Sequence, residues 1–251
     1  MKKLLAFLLV VCVFITSVVY HLPASWLVKH VSIPRNVQLG QVQGSLFEGN
    51  SESVIVNGIT LGSVNWHWNL QALFSGRWQY QLLLGQTSGP IRGSARLSLL
   101  PTGAIELEQG RFTMQAEWFS PLLSLPVQPE LMGALSVRFP SLTITPQGCQ
   151  SGQFLADWNN AGVSALGQHV DLGSVTASGR CNNAQLTLDA KQESSMLSSE
   201  AKVNLSPNAR GAVDGWLMPE EQFPSQLDSM LRWLPQDKAS GRYTFRQSFR
   251  L

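Results

Sequence analysis

The longest apolar run lies near the start of the chain, over residues 4–22 (LLAFLLVVCVFITSVVYHL), with Thr16, Ser17 and His21 as its polar interruptions. As a helix rising about 1.5 Å per residue, it nearly reaches the roughly 30 Å of a bilayer's hydrocarbon core. The pattern predicts a single transmembrane anchor over 4–22 behind a tail of residues 1–3. A cleaved signal peptide is the competing reading, but its apolar region runs about 7–15 residues and ends in a small-x-small cleavage site. The run here is longer, and His21-Leu22-Pro23-Ala24-Ser25-Trp26 offers no good small-x-small pair.

Past a juxtamembrane segment, 23–35, the pattern changes to short alternating runs punctuated by Gly. Runs over 54–59, 80–84, 95–99, 105–107, 112–116, 134–139, 142–145, 154–158, 170–177, 186–190, 201–205 and 243–249 read as strands. Thr102-Gly103 suits a hairpin turn. Turn residues recur about every ten positions, which predicts an all-β arrangement rather than βαβ units. The expected fold is mainly β: one N-terminal transmembrane helix, then an antiparallel, curved sheet domain over 36–251 with a few short helices.

Two or three short helices are expected within it. One covers 69–75, with Asn69 as N-cap. A second, over 119–125, is broken by Pro121 and Pro126. The third covers 225–234, where Leu227, Met230, Leu231 and Leu234 fall at helical spacing, Ser225 caps and Pro235 stops. Such a stripe is more often core than a partner-docking face. Pro126 and Pro129 suggest two halves of the β region, about 36–125 and 131–251.

Composition adds limits. Charged residues make up 14% and hydrophobic ones 44%, which marks an ordered chain rather than a disordered one. The net charge of +2 is scattered, and no basic stripe points to nucleic acid. Lys2 and Lys3 favour an inside N-terminus, although Lys29 and Arg35 follow the other end of the run. Tyr20 and Trp26 suit an interfacial aromatic anchor. Cys12 lies within the apolar run, leaving Cys149 and Cys181 as an even pair downstream. They are either a disulfide, which requires an oxidising compartment such as the periplasm, or two buried thiols; the disulfide is the expectation.

A search for catalytic chemistry finds little. His21, His30, His67 and His169 show no metal-ligand spacing, and no Cys-x-x-Cys, nucleophile elbow, phosphate loop or dinucleotide fingerprint is present. Glu220-Glu221 precedes a predicted helix and suits its dipole. Glu106 and Glu108 share a strand face, where surface charges are far commoner than catalytic ones. No catalytic residue, metal site or cofactor is expected, and the chain reads as a non-enzyme.

The stretch 37–85 contains Gly44-Ser45-Leu46-Phe47-Glu48-Gly49, then Trp66-His67-Trp68-Asn69-Leu70, then Leu73-Phe74-Ser75-Gly76-Arg77-Trp78. The glycines permit a bend or bulge, and Trp66 and Trp68 share one strand face, as a packed aromatic layer or a binding face. This stretch resembles the type II secretion system protein N family, an accessory inner-membrane component of general secretion. With it agree the length, the anchor, the motif order and the late cysteine pair. Ser45 and Phe47 stand where that family usually has Thr and Trp. The resemblance implies a non-catalytic accessory or structural part in export of folded proteins from the periplasm across the outer membrane. Its partners would be other inner-membrane and periplasmic secretion subunits, with the chain single-pass in the inner membrane. Gly-aromatic-Gly signatures also occur in the larger AsmA-like envelope proteins, so a periplasmic lipid-handling module is the alternative.

Overall fold

Alternating side chains along the chain dictate strands with two unlike faces, and the computed structural model shows fourteen of them among the described residues. It describes residues 7, 10, 11, 14, 17, 22–30, 37–56, 58–122, 128–145, 148–165, 167–207 and 210–250. The residues cluster into two compact units, 1–92 and 93–251.

In unit 1, β1 (Val37–Leu39) and β2 (Val42–Gly44) both pair with β3 (Glu48–Val56), β3 pairs with β4 (Ile59–Trp68), and β4 with β5 (Trp78–Leu84), all antiparallel. A short helix, α1 (Ala24–His30), precedes them, and Pro23 bridges to Ser45. The one-turn helix α2 (Leu70–Leu73) joins β4 to β5, with Asn69 as its N-cap. The division between units falls inside β6 (Ile91–Leu99).

Most of the predicted transmembrane segment lies outside the described residues. Phe7, Val10, Val11, Phe14 and Ser17 within it have helical backbone, and the four apolar ones are exposed. No helix among the described residues is long and apolar enough to cross a membrane.

Unit 2 continues as an antiparallel meander: β7 (Ile105–Gln115), β8 (Glu130–Thr145), β9 (Gly148–Ala165), β10 (Gln168–Asn182), β11 (Gln185–Glu193), β12 (Leu197–Leu205), β13 (Arg210–Pro219) and β14 (Tyr243–Arg250). Residues in register share a face. One row across seven strands reads Val137, Ala156, Ala177, Ala190, Ala201, Gly215, Phe245. The row on one side of it carries Leu135, Trp158, Val175 and Leu217, and the row on the other carries Phe154, Leu188, Val203 and Val213. Small residues thus form the floor of a trough walled mostly by half-buried apolar residues, with Gln192 and Ser199 filling the β11 and β12 positions of the first wall. The opposite face alternates in charge: Asp189, Lys202, Asp214 and Arg246 follow one another across β11 to β14. Cross-strand ion pairs join Lys202 to Asp189 at 3.6 Å, Lys191 to Glu200 at 3.2 Å and Arg138 to Asp157 at 2.6 Å. Each is exposed enough to contribute about 1 kcal/mol or less.

Several elements are longer than the pattern predicts. Runs 105–107 and 112–116 are one strand, β7, interrupted at Gln109, whose φ is +51. Runs 134–139 and 142–145 are one strand, β8, with a register shift around Pro140, which has no N–H for the ladder. The helix expected over 225–234 is instead a 3-10 turn, Ser225–Leu227, and the single turn α3 (Asp228–Leu231). Leu227 N bonds Pro224 O and Leu234 N bonds Leu231 O, so tight i to i+3 bonding replaces a regular helix. Leu231 of its apolar stripe is buried. Of the second expected helix, 119–125, the described part belongs to a 3-10 stretch, Ala116–Leu122, and 123–125 lie outside the described residues. Glu220 caps no helix: its Oε1 accepts from Ser198 Oγ at 2.7 Å on the polar side of the sheet.

Candidate functional site

The β2–β3 connection is a four-residue turn held by one side chain. Ser45 N donates to Glu48 O at 2.7 Å, and Ser45 Oγ accepts from the N–H groups of Phe47 and Glu48, each at 3.2 Å. Gly44 enters the turn at φ +89, and a Cβ there would stand 2.5 Å from Glu48 O, so both conformation and space demand glycine. Leu46 is half-buried beside it.

Gly49 lies opposite Trp66 in register, and a Cβ on Gly49 would stand 2.5 Å from the indole. The Trp66 ring therefore rests on bare backbone, and its Nε1 donates to Ser45 O at 3.2 Å. Two residues on, Trp68 N donates to Phe47 O at 2.6 Å. Its ring packs at 4.8 Å from Phe47 and 5.0 Å from Trp78, with Phe47 and Trp78 6.4 Å apart. Such tilted pairs add about 0.5–1.5 kcal/mol each beyond their area. The Trp68 Nε1 is buried and finds no acceptor among the described residues. His67 alternates to the other face, with Nδ1 3.8 Å from Glu48 Oε2 and both side chains well exposed.

The chain then turns through α2. Asn69 Oδ1 accepts from Gln71 N at 3.2 Å, and its Nδ2 donates to the buried Gln79 Oε1 at 3.0 Å. Gly76, at φ +72, ends the turn by donating its N–H to Leu73 O at 2.9 Å. Burial pushes the neighbouring Tyr80 phenol above its usual range, against a smaller opposing hydrogen bond from Trp78. Gly44, Ser45, Leu46, Phe47, Gly49, Trp66, Trp68 and Gly76 are thus all placed at one end of unit 1. Trp78, the last residue of the motif stretch, joins them, as does Gln79, which did not stand out in the sequence.

Substituting Ser45 by Ala is expected to remove the acceptor of two N–H groups and cost about 1–2 kcal/mol in unit 1. Ser45→Thr keeps the hydroxyl and is expected to be near neutral. Hydrogen exchange at the Phe47 and Glu48 amides distinguishes the two outcomes.

In unit 2, Cys149 and Cys181 are joined by a disulfide with Cα atoms 6.1 Å apart. Cys149 is near the start of β9 and Cys181 near the end of β10, so the bond closes the open end of that long hairpin. His169 Nδ1 lies 3.2 Å from Ser164 Oγ, and Glu106 and Glu108 stand opposite Thr143 and Ser141. Among the described residues no three His, Cys, Asp or Glu side chains gather to hold a metal. What the site offers is an ordered, half-buried aromatic cluster.

The sequence model of the family described as type II secretion system (T2SS), protein N matches residues 35–246. The type II secretion system protein N of Vibrio cholerae serotype O1 is 29% identical over 253 residues, covering all of both chains. That of Aeromonas hydrophila is 24% identical over all of this chain and 99% of its own. That of Klebsiella pneumoniae is 23% identical over 86% of this chain and 84% of its own. No solved structure matches. The aromatic turn and most of each compact unit fall within the matched residues, and the chain belongs to the type II secretion system protein N family.

Proposed function

We propose that this chain is a non-catalytic accessory or structural component of a type II secretion machine, acting in export of folded proteins from the periplasm across the outer membrane. Residues 4–22 anchor it in the inner membrane, the tail 1–3 stays inside, and 36–251 stand in the periplasm. The carrying observation is the family match over 35–246. The Cys149–Cys181 disulfide fits an oxidising compartment. Contacts with other inner-membrane and periplasmic secretion subunits follow from membership of a multi-subunit system. The outer edge of β14 offers one means. Thr244 N is bonded to Pro235 O, but the edge runs on past it towards Arg250, which suits strand addition by a partner.

The test is a strain lacking the chain, assayed for the location of a secreted protein. Cargo trapped in the periplasm and released on restoring the chain supports the proposal. Normal export, with no association between this chain and any secretion subunit, overturns it.

A second reading, a lipid-handling module, is favoured by the trough of unit 2. Its floor, from Val137 to Phe245, crosses six strand spacings, roughly 29 Å at about 4.8 Å each, long enough for an extended acyl chain. Native mass spectrometry of gently extracted protein should then show bound lipid. Altered outer-membrane lipid with normal export in the same deletion strain would put this reading ahead of the first.

A further inference from the structure

Unit 1 holds three large apolar side chains out to solvent within five residues: Leu70 is 57% exposed, Leu73 46% and Phe74 91%. In unit 2 the comparable exposed residues, Leu99, Leu155, Trp233 and Phe249, are spread along the chain. Clustered exposure of this kind marks a contact surface, whereas single exposed residues do not. The β4–β5 connection is also built to stay in place. Asn69 caps it, Ser75 Oγ donates to Ala72 O at 2.7 Å, Gly76 closes it, and the Phe47–Trp68–Trp78 trio lies at its base.

Topology says what it faces. The connection leaves β4 after Trp68, and Trp68 N is bonded to Phe47 O in the β2–β3 turn. Ser45 of that same turn bridges to Pro23, the residue directly after the apolar run 4–22. The knuckle 69–77 and the point where the apolar run joins unit 1 are therefore at one end of the unit. Trp26, three residues past that joint, is 48% exposed. Charge within the knuckle agrees: no Asp or Glu occurs in 69–77, the exposed Arg77 ends it, and the one carboxylate of the adjoining turn, Glu48, lies 3.8 Å from His67 on the face that His67 shares. An acid-free apolar surface edged with a cation matches an anionic lipid interface.

We infer that Leu70, Leu73 and Phe74, with Trp26, seat unit 1 on the lipid surface beside the anchor, inserting Phe74 about 5–10 Å into the headgroup–acyl boundary. The inference rests on residues 4–22 being the anchor. It makes the aromatic turn the base of a membrane-resting foot, which holds the unit at a fixed height and tilt.

The experiment uses the full chain in vesicles of phosphatidylethanolamine and phosphatidylglycerol. A single spin label is placed at Phe74→Cys or at Thr60→Cys, on the opposite end of unit 1, each in a Cys12→Ser background. The native Cys12 is labelled separately. Collision with oxygen, enriched in lipid, is compared with collision with a water-soluble nickel chelate. The expected result is an oxygen-to-nickel ratio several-fold higher at position 74 than at position 60. An aqueous ratio at 74 with a lipid-like ratio at Cys12 overturns the seating while leaving the anchor intact. An aqueous ratio at Cys12 removes the anchor and the seating with it. Shielding of position 74 from both probes marks a protein contact and overturns the lipid assignment.

Discussion

Replacing Trp68 with Ala is expected to destabilise unit 1 by about 3 kcal/mol, the lower part of the range for losing a large aromatic, because its ring is half-buried. The loss takes away both stacked partners, Phe47 and Trp78, and leaves the β2–β3 turn and the β4–β5 knuckle without their common packing. Trp68→Phe separates ring from donor. The Trp68 Nε1 finds no acceptor, so phenylalanine removes a buried orphan N–H and is expected to cost less than about 1 kcal/mol. Trp66→Phe behaves differently, since it leaves Ser45 O without the Trp66 donor and is expected to cost about 1–2 kcal/mol. The measurement is hydrogen exchange of β3–β5 amides under mild denaturant, which reads unit 1 apart from unit 2. Equal costs for the two Phe variants would show that the indole hydrogen bond contributes nothing.

Loss of the Cys149–Cys181 bond has an effect of similar size on unit 2. The two cysteines are 32 residues apart, and closing a loop of that length constrains the unfolded chain by about 3–4 kcal/mol in the chain-entropy model. The paired Cys149→Ser, Cys181→Ser variant is expected to lose that much and to fray first at the open end of the β9–β10 hairpin. Reduction of the native chain with dithiothreitol should lower its unfolding midpoint to the same value. An unchanged midpoint on reduction would mean that the hairpin ladder alone holds that end.

The residues show why some elements were legible and others were not. Strands whose apolar positions alternate cleanly, such as β5, β11 and β12, could be read directly from the sequence, and so could the Asn69 cap and the Thr102-Gly103 turn. β13 is absent from the expected strands because Gly211, Ala212, Asp214 and Gly215 break its apolar alternation. In the sheet, Gly211 lies opposite Phe249 and Gly215 opposite Phe245, with each ring covering the bare backbone. Gly110 with Phe139 and Gly179 with Phe154 repeat the arrangement in β7–β10. A glycine that punctuates and a glycine covered by a cross-strand ring look alike until the register is known. At the aromatic turn, the spacing placed Trp66 and Trp68 together, but the Trp66 Nε1 bond to Ser45 O and the packing of Trp78 on Trp68 depend on strand pairings that no local pattern reveals. The helix expected over 225–234 is present only as a 3-10 turn and one α turn over 225–231, because its leucine stripe fits either winding between Pro224 and Pro235.

The order of pairing has a kinetic meaning. From β7 to β14 each strand bonds the one just before it, and the disulfide joins neighbours of the same hairpin. A nascent chain delivered N-terminus first never has to wait for a distant segment to complete its ladder. Each hairpin can zip onto a finished edge as it emerges, and the search for partners stays local. The advancing edge is at every moment the last strand made, so beyond the first edge at β1 and β2 the growing sheet is open to strangers along that one moving line.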